Sequence, residues 1–433
     1  MPSLRVLRAA DTIGGNCIEV SANDGQRLLL DAGRPLDAPE NEPTTVPDGL
    51  NIASQVVAVL LSHIHQDHTG MLKQLPAAWP VYCGKASHVL LDLEMARQNY
   101  VKPGDKTTTC HSITTWQADK EFRVGPFLIT PILIDHSAFD AYMLLIKVDG
   151  KTILYSGDFR LNGRKGKLTQ KLIDSPPGNV DVLIMEGTNI LAPDKSTQSE
   201  AGLENKFIKL FQQTSGRVFV ACAGTNIDRL VTLYRSCLKS GRILGVDLYT
   251  LLVMRRLASF ADIPQLEWEN SRLRAIVTRR MLSYVGKLGN PELVAEIKNT
   301  GNVCSAKALS KNKGKWVILI RGSMVGDFAA KNVLVDAEDA WVWSMWRGYY
   351  EDASSGLLRD YFKPCGEPEY IHTSGHASFQ TLKDFAKAIN PRLLIPVHGN
   401  EWRKASREFE NIRLVENGEL VHIDDFVSET SGG

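Results

Sequence analysis

Short apolar runs separated by turn residues dominate the first 186 positions of the chain. The segments LRVLRA (4–9), NCIEV (16–20), RLLLD (27–31) and VVAVLLS (56–62) have the length and the Val, Ile and Leu content of strands. Gly14-Gly15, Asn23-Asp24-Gly25 and a Pro-rich stretch over 35–47 punctuate them. Further strands are predicted at 127–134, 142–148, 151–156 and 180–185, and Asp149-Gly150 predicts a tight hairpin turn. Few helices are expected in this half.

The texture changes near residue 187. RVFVACAG (217–224), NIDRLVTLYRSCLKSG (226–241) and RILGVDLY (242–249) read as strand, helix, strand, which is a parallel βαβ unit. Residues 250–300 look mainly helical, and KWVILIRG (315–322) reads as a buried strand. A strand at LLIPVH (393–398), a helix at 401–410 and a hairpin about Glu416-Asn417-Gly418 follow, and this last stretch resembles the first half. The expected organisation is one domain in two parts, 1–186 and 366–433, interrupted by an inserted domain at 187–365.

Composition changes the picture mainly by exclusion. A chain of 433 residues, 43% hydrophobic and 23% charged, is globular with two or three domains, which sets aside disorder, collagen and coiled coil. Fifty basic against 49 acidic residues give a net charge of +1, so a nucleic-acid contact would need a local basic groove. No apolar run approaches the roughly 18–20 residues that span a bilayer, and no apolar leader is visible at the N-terminus. Seven scattered cysteines, Cys110 among them, are never spaced C-x-x-C and read as thiols of a reducing, cytoplasmic compartment.

The strongest chemical signal is SHIHQDHTG (62–70), directly after an apolar strand. His63 and His65 are two apart, so on extended backbone they point to one side, and a turn can bring Asp67 and His68 to a neighbouring position. Imidazole and carboxylate donors this close suit zinc, which binds both at about 2.0–2.2 Å.

HxHxDH after a strand resembles the signature of the metallo-β-lactamase superfamily, which implies an α/β fold: an αββα sandwich with a dinuclear metal site at one edge. Other residues match that pattern in order: Asp31 in LLLDAG, His136 in IDHSAFDAY and Asp158 in YSGDFR. Glu186 in LIMEGTN, His376 in IHTSGHAS and His398 in LLIPVHGN resemble the β-CASP nucleases of the superfamily, with 187–365 as the inserted β-CASP domain. The likeness is strongest to the ribonuclease J-like group. Two departures accompany it. Gln66 stands where that group more often has Glu, and the chain runs only about 35 residues beyond His398, so the further C-terminal assembly domain of that group is expected to be missing.

The resemblance implies two Zn²⁺ ions, with Mn²⁺ as the alternative metal. One would be held by His63, His65 and His136 and the other by Asp67, His68 and His398, with Asp158 bridging. It implies hydrolysis of phosphodiesters to 5′-phosphate and 3′-hydroxyl ends, with Asp67, Asp158 and His376 catalytic and His376 protonating the departing oxygen. Asp31 and Glu186 would orient histidine rings by accepting their outer N–H, although capping of a strand end also explains Asp31.

Substrate is read from other positions. His372, Ser374 and Gly375, beside His376, are candidates for phosphate contact, with a turn as the alternative. Asn226 and Arg229 in AGTNIDRL resemble a segment at a helix start of the inserted domain in ribonuclease J, where a helix N-terminus capped by Thr225 or Asn226 could hold a phosphate, and ordinary capping explains the same residues. Cation clusters at Arg160, Arg164, Lys165, Lys167 and Lys171, at Arg272, Arg274, Arg279 and Arg280, and at Lys311, Lys313 and Lys315 are either solvated surface or polyanion contacts. The aromatic string WVWSMWRGYY (341–350) fills a core or a subunit contact, or stacks bases.

The leading expectation is a zinc-dependent ribonuclease, exonucleolytic from the 5′ end, endonucleolytic, or both, with single-stranded RNA as partner and a homodimer as a candidate assembly. The resemblance favours RNA over DNA because DNA-directed β-CASP members typically lack a histidine at the position of His398. The alternatives are a DNA-directed nuclease, a thioester or lactone hydrolase on the same fold, and an inactive nucleic-acid scaffold.

Overall fold

The computed structural model describes residues 1–39, 42–101, 111–192, 198–287 and 291–426. Cys110 lies outside them, as do the side chains of Arg279 and Arg280. Over the described residues the chain forms two compact units, one from 1–91, 111–192 and 375–426, the other from 92–101 and 198–374.

The first unit holds two sheets. Seven strands form one sheet, running in space from Leu420–His422 through Ser3–Arg8, Cys17–Ser21, Arg27–Leu30, Ala58–Leu60 and Val81–Gly84 to Ile113–Trp116. Six form the other, from Leu393–Pro396 through Val182–Met185, Lys151–Tyr155, Ala141–Val148 and Phe127–Ile134 to Phe122–Val124. The period-2 alternation of strand side chains decides which face each residue serves. Val182 and Ile184, Ile153 and Tyr155, and Leu393 and Ile395 join Leu4, Val6, Ile18 and Leu60 in one core shared by strands of both sheets. The intervening Leu183, Met185, Leu154 and Leu394 enter a second core with Leu382, Phe385 and Ile389 of the helix Phe379–Ile389. Two packed sheets with a helix on the outer face of one give the expected layered α/β sandwich. Asp149 and Gly150, at φ 49° and 76°, turn one strand into the next with Val148 opposite Lys151, as a two-residue hairpin requires.

The second unit is built on a parallel sheet of seven strands: Val303–Cys304, Leu273–Ile276, Ile243–Asp247, Trp316–Ile320, Val218–Ala221, Ala340–Trp343 and Glu369–Tyr370, in spatial order. Val218–Ala221, the helix Ile227–Ser240 and Ile243–Asp247 form the expected βαβ crossover, with Trp316–Ile320 between the two strands. Arg217 is buried in an ion pair with Asp339, whose Oδ1 lies 3.0 Å from its Nε.

Several expectations are corrected. The first half is rich in strands with few helices, as expected, although the positions of Lys85–Val101 and Gly166–Asp174 were not predicted. The mainly helical stretch contains the strand Leu273–Ile276, drawn extended by pairing with Ile243–Asp247 and Val303–Cys304. The helix at 401–410 is a single turn, Trp402–Ala405, followed by a 3-10 turn. No hairpin forms about Asn417: Leu420–His422 pairs with Ser3–Arg8, and Gly418 N–H donates to Val6 O at 2.7 Å.

Candidate metal centre

The strand Ala58–Leu60 ends in the sheet interior, and the chain turns through Ser62 and His63 into a one-turn helix, Gln66–Thr69. Backbone contacts hold that turn. Asp67 O accepts from Gly15 N at 3.1 Å and Asn16 N at 2.9 Å, and Ala32 N donates to His68 O at 2.8 Å. Gly33 makes this approach available: a Cβ there would stand 1.8 Å from Asp67 O.

Three imidazoles converge at one position. Nδ1 of His65 lies 3.2 Å from Nε2 of His63 and 3.1 Å from Nε2 of His136. A neutral imidazole has one acceptor lone pair, so His65 Nδ1 cannot satisfy both neighbours as a hydrogen-bond acceptor. Nitrogens on a common tetrahedral zinc at about 2.0–2.1 Å stand about 3.3 Å apart, close to what is found. Beside them is a second group, Asp67, His68, Asp158 and His398, whose donor atoms all lie within 4.8 Å of one another. Nε2 of His68 is 3.0 Å from Asp158 Oδ2, and Nε2 of His398 is 3.7 Å from Asp67 Oδ2. Both Asp158 oxygens and the Nε2 atoms of His68 and His398 are buried without a hydrogen bond. Buried polar atoms left in this way are costly in a folded protein, and divalent cations between them would remove the cost. The residues present therefore fit a pair of metal ions.

The outward nitrogens of His68, His398 and His63 are engaged, whereas Nδ1 of His136 is buried without a hydrogen bond. His68 Nδ1 lies 2.7 Å from Asp31 Oδ2, and Asp31 also accepts from Ser62 N–H (2.7 Å), Ser62 O–H (2.8 Å) and Tyr155 O–H (2.6 Å). His398 Nδ1 faces Asn16 Oδ1 at 2.7 Å, and Asn16 Nδ2 donates to the Tyr155 hydroxyl at 3.0 Å. His63 Nδ1 is 3.1 Å from the Ser62 hydroxyl. Such outer partners fix ring orientation and tautomer. Asp31, with φ at 57°, faces the ring of His68, and Asn16, Ser62 and Tyr155 were not anticipated from sequence. Two glycines followed by Asn, ahead of a strand, were the signal that Asn16 offered.

His376 lies at the edge of the cluster. Its Nδ1 is 3.0 Å from Glu186 Oε2 and 3.7 Å from Asp158 Oδ2. Glu186 is itself held by Phe159 N–H at 3.0 Å and Thr188 N–H at 3.2 Å. The loop bearing His376 is tied down by Asn189 Nδ2, which donates to His376 O (3.2 Å) and Ala377 O (3.0 Å).

Electrostatics divides these rings. Burial pushes His63 and His136 well below the ordinary histidine value, with neighbouring imidazoles adding to the effect, and brings His65 to about 4. Burial likewise lowers His398. These four are neutral near pH 7, as metal ligands must be. Burial opposes charge on His68 too, but Asp158, Asp31 and Asp67 hold it well above its ordinary value. His376 is raised to about 9, against its burial, by Glu186 and Asp158. Asp158 is held well below the carboxylate range despite burial, by His398, His68 and His376.

The remaining candidates divide between the two units. Gly375 belongs to the first unit and lies against Ser137 and His136, whereas His372 and Ser374 belong to the second. Asn226 caps the helix Ile227–Ser240 by accepting from Arg229 N–H at 3.1 Å. Reading Arg229 as a phosphate contact is corrected: its guanidinium is fully buried, 3.1 Å from Glu200 Oε1 and donating to Ser344 O at 3.1 Å. Arg160 of the first cation cluster is also buried, its N–H on Asp135 O at 2.8 Å, where it braces the segments bearing His136 and Asp158.

The chain resembles known proteins in sequence and in fold. A family described as "Beta-lactamase superfamily domain" matches residues 26–221, and one described as "Zn-dependent metallo-hydrolase RNA specificity domain" matches 367–422. Ribonuclease J of Mycoplasma genitalium is 23% identical over 400 residues, which cover 86% of this chain and 64% of that protein. Ribonuclease J 2 of Streptococcus pyogenes is 24% identical, covering 95% of this chain and 74% of that protein. The chain thus spans about two thirds of the length of such relatives. A crystal structure of a protein of unknown function from Enterococcus faecalis V583 shares the fold, with a TM-score of 0.75 at 20% identity over 97% of this chain and 99% of that one.

Proposed function

We propose that the chain, which resembles the ribonuclease J-like β-CASP proteins of the metallo-β-lactamase superfamily, is a zinc-dependent ribonuclease. The observation that carries the proposal is the joining of two donor sets through Asp158, with the charged ring of His376 at their edge. His63, His65 and His136 would hold one ion and Asp67, His68 and His398 the other, with Asp158 shared. Bound there, the ions would lower the pKa of water and neutralise charge developing on a phosphate.

The protein's own residues account for the other requirements of the reaction. Asp31, Asn16 and Ser62 fix the rings of His68, His398 and His63. Glu186 holds Nδ1–H of His376, so the proton to be given to the departing 3′ oxygen is the one on Nε2. Products then carry 5′-phosphate and 3′-hydroxyl ends. RNA is favoured over DNA and over small esters by the match of 367–422, which includes His376 and His398, to a domain described by RNA specificity. Cys17, Cys83, Cys222, Cys237, Cys304 and Cys365 are free thiols, which accords with a reducing, cytoplasmic setting. No helix among the described residues is long and apolar enough to cross a membrane.

The test is to offer the zinc-loaded protein single-stranded RNA, DNA of the same sequence, and thioester and lactone substrates. Chelator-sensitive cleavage of RNA supports the proposal. Turnover of esters with both nucleic acids intact overturns it.

A further inference from the structure

The second unit buries part of its aromatic string and leaves the rest in solvent. Trp341 and Trp343 are interior, within the core formed by Phe219, Phe328 and Phe362. Trp346 is 61% exposed, Tyr349 52% and Tyr370 46%. Rings this exposed forgo the burial that normally stabilises them, so the fold gains little from keeping them there.

Their setting is nonetheless fixed. Trp343 Nε1–H donates to Trp346 O at 3.1 Å, pinning the turn after the strand. The indole of Trp346 lies against Gly348: a Cβ at that glycine would stand 2.1 Å from Cζ3 of the ring. Tyr349 meets the indole edge-on, with ring centroids 5.4 Å apart at 88°. Tyr370 ends the edge strand Glu369–Tyr370, directly paired with Trp343, and its ring is 5.8 Å from that of His372. Burial raises the Tyr370 phenol above its ordinary value, and the charges of Arg347 and Arg229 oppose that rise. Arg347 makes an exposed 3.6 Å pair with Glu351, an interaction that costs little to rearrange.

These residues follow the carboxyl ends of two neighbouring parallel strands, where open α/β sheets take their ligands. The strand that ends at Tyr370 continues directly into His372, Ser374, Gly375 and His376. Exposed flat rings beside the sequence-adjacent cation of Arg347 match unpaired bases joined by phosphates, whose stacking tolerates any sequence. We infer that Trp346, Tyr349 and Tyr370, with Arg347, form a base-stacking platform for single-stranded RNA. The inference rests on the ribonuclease reading and adds to it a subsite in the inserted domain.

The experiment uses the full chain with a chelator present and a short fluorescein-labelled oligoadenylate, followed by anisotropy. Trp346→Ala is expected to weaken binding roughly five- to a hundredfold, with Trp346→Phe close to wild type. An abasic oligomer of equal length should bind the wild type as weakly as the oligoadenylate binds Trp346→Ala. Arg347→Ala should instead reduce the salt dependence of binding. Equal affinity of wild type and Trp346→Ala for oligoadenylate, with RNA still cleaved by the zinc-loaded protein, overturns the platform and leaves the ribonuclease reading intact. A change of native mass in Trp346→Ala with RNA affinity unchanged overturns it in favour of a contact between copies of the chain. Failure of the zinc-loaded wild type to bind or cut RNA removes the ribonuclease reading and the platform with it.

Discussion

Nδ1 of His376 stands 3.0 Å from Oε2 of Glu186, and that carboxylate is fixed by two backbone N–H groups. Against its burial, Glu186 first and then Asp158 keep the imidazole charged, raising it to about 9. A charged ring donates a proton below its pKa and cannot above it. Activity should therefore fall as pH rises through the His376 value. Glu186→Gln removes the foremost group that raises it, so the alkaline limb of the pH–rate profile should move to lower pH. His376→Ala should lose on the order of 10²- to 10⁴-fold in kcat while metal content is retained. A pH–kcat series on the three proteins, with metal analysis of each, checks both statements.

Metal uptake should release protons. Asp158, Asp31 and Asp67 hold His68 charged in the metal-free protein, and its Nδ1 already faces Asp31. A cation at Nε2 must displace the proton there. About one proton per chain should appear on zinc binding near neutral pH, and affinity should rise with pH as that competition fades. Calorimetry in two buffers of different ionisation enthalpy measures the count.

Asp31 accepts from Ser62 N–H, Ser62 O–H and Tyr155 O–H as well as facing His68. Asp31→Ala leaves those buried groups without an acceptor and frees the ring of His68. Zinc affinity should drop about ten- to a hundredfold, and unfolding free energy should drop by several kcal/mol. Competition with a chromophoric chelator and urea unfolding of the same preparations give the two numbers.

Gly33 tests the backbone that carries the cluster. A Cβ there would meet Asp67 O at 1.8 Å, with Asn16 N at 2.5 Å. Asp67 O cannot yield without moving Gln66–Thr69, and Asn16 N is bonded to it, so Gly33→Ala should cost about 3 kcal/mol and reduce zinc binding in the fraction that folds. Gly25→Ala, which meets nothing within 4 Å, controls for substitution in open space, although its φ of 82° adds modest strain. Thermal unfolding with and without zinc distinguishes the two variants.

The donor set was legible because its members crowd into short strings at strand ends, where residue type and spacing speak together. His63, His65, Asp67 and His68 fall within six residues, and the structure brings His136, Asp158, His376 and His398 to the same place. Asn16 was not legible: a lone Asn after two glycines looks like a turn, and its partner His398 is 382 positions away. The helix Lys85–Val101 escaped because its apolar residues Val89, Leu90, Leu91 and Leu93 run together and blur the helical period. The hairpin signal at Asn417-Gly418 was sound as turn chemistry and wrong as to partner. Asn417 Oδ1 accepts from Ala10 N–H at 3.0 Å, so the turn docks on the N-terminal strand's neighbourhood and delivers Leu420–His422 to Ser3–Arg8. Arg229 shows the complementary limit, since sequence cannot tell a guanidinium aimed at phosphate from one closed over Glu200.

The central claim is tested most directly by the ends left on cleaved RNA. Zinc-loaded protein and Asp158→Ala would each be incubated with internally labelled single-stranded RNA, with and without chelator, and the product termini identified by mass. The account requires 5′-phosphate and 3′-hydroxyl ends from the wild type, abolished by the chelator and by the substitution. Fragments ending in 2′,3′-cyclic phosphate, or cleavage that survives in Asp158→Ala, would contradict it, because the nucleophile would then be the RNA's own 2′-hydroxyl or the activity would belong to another site.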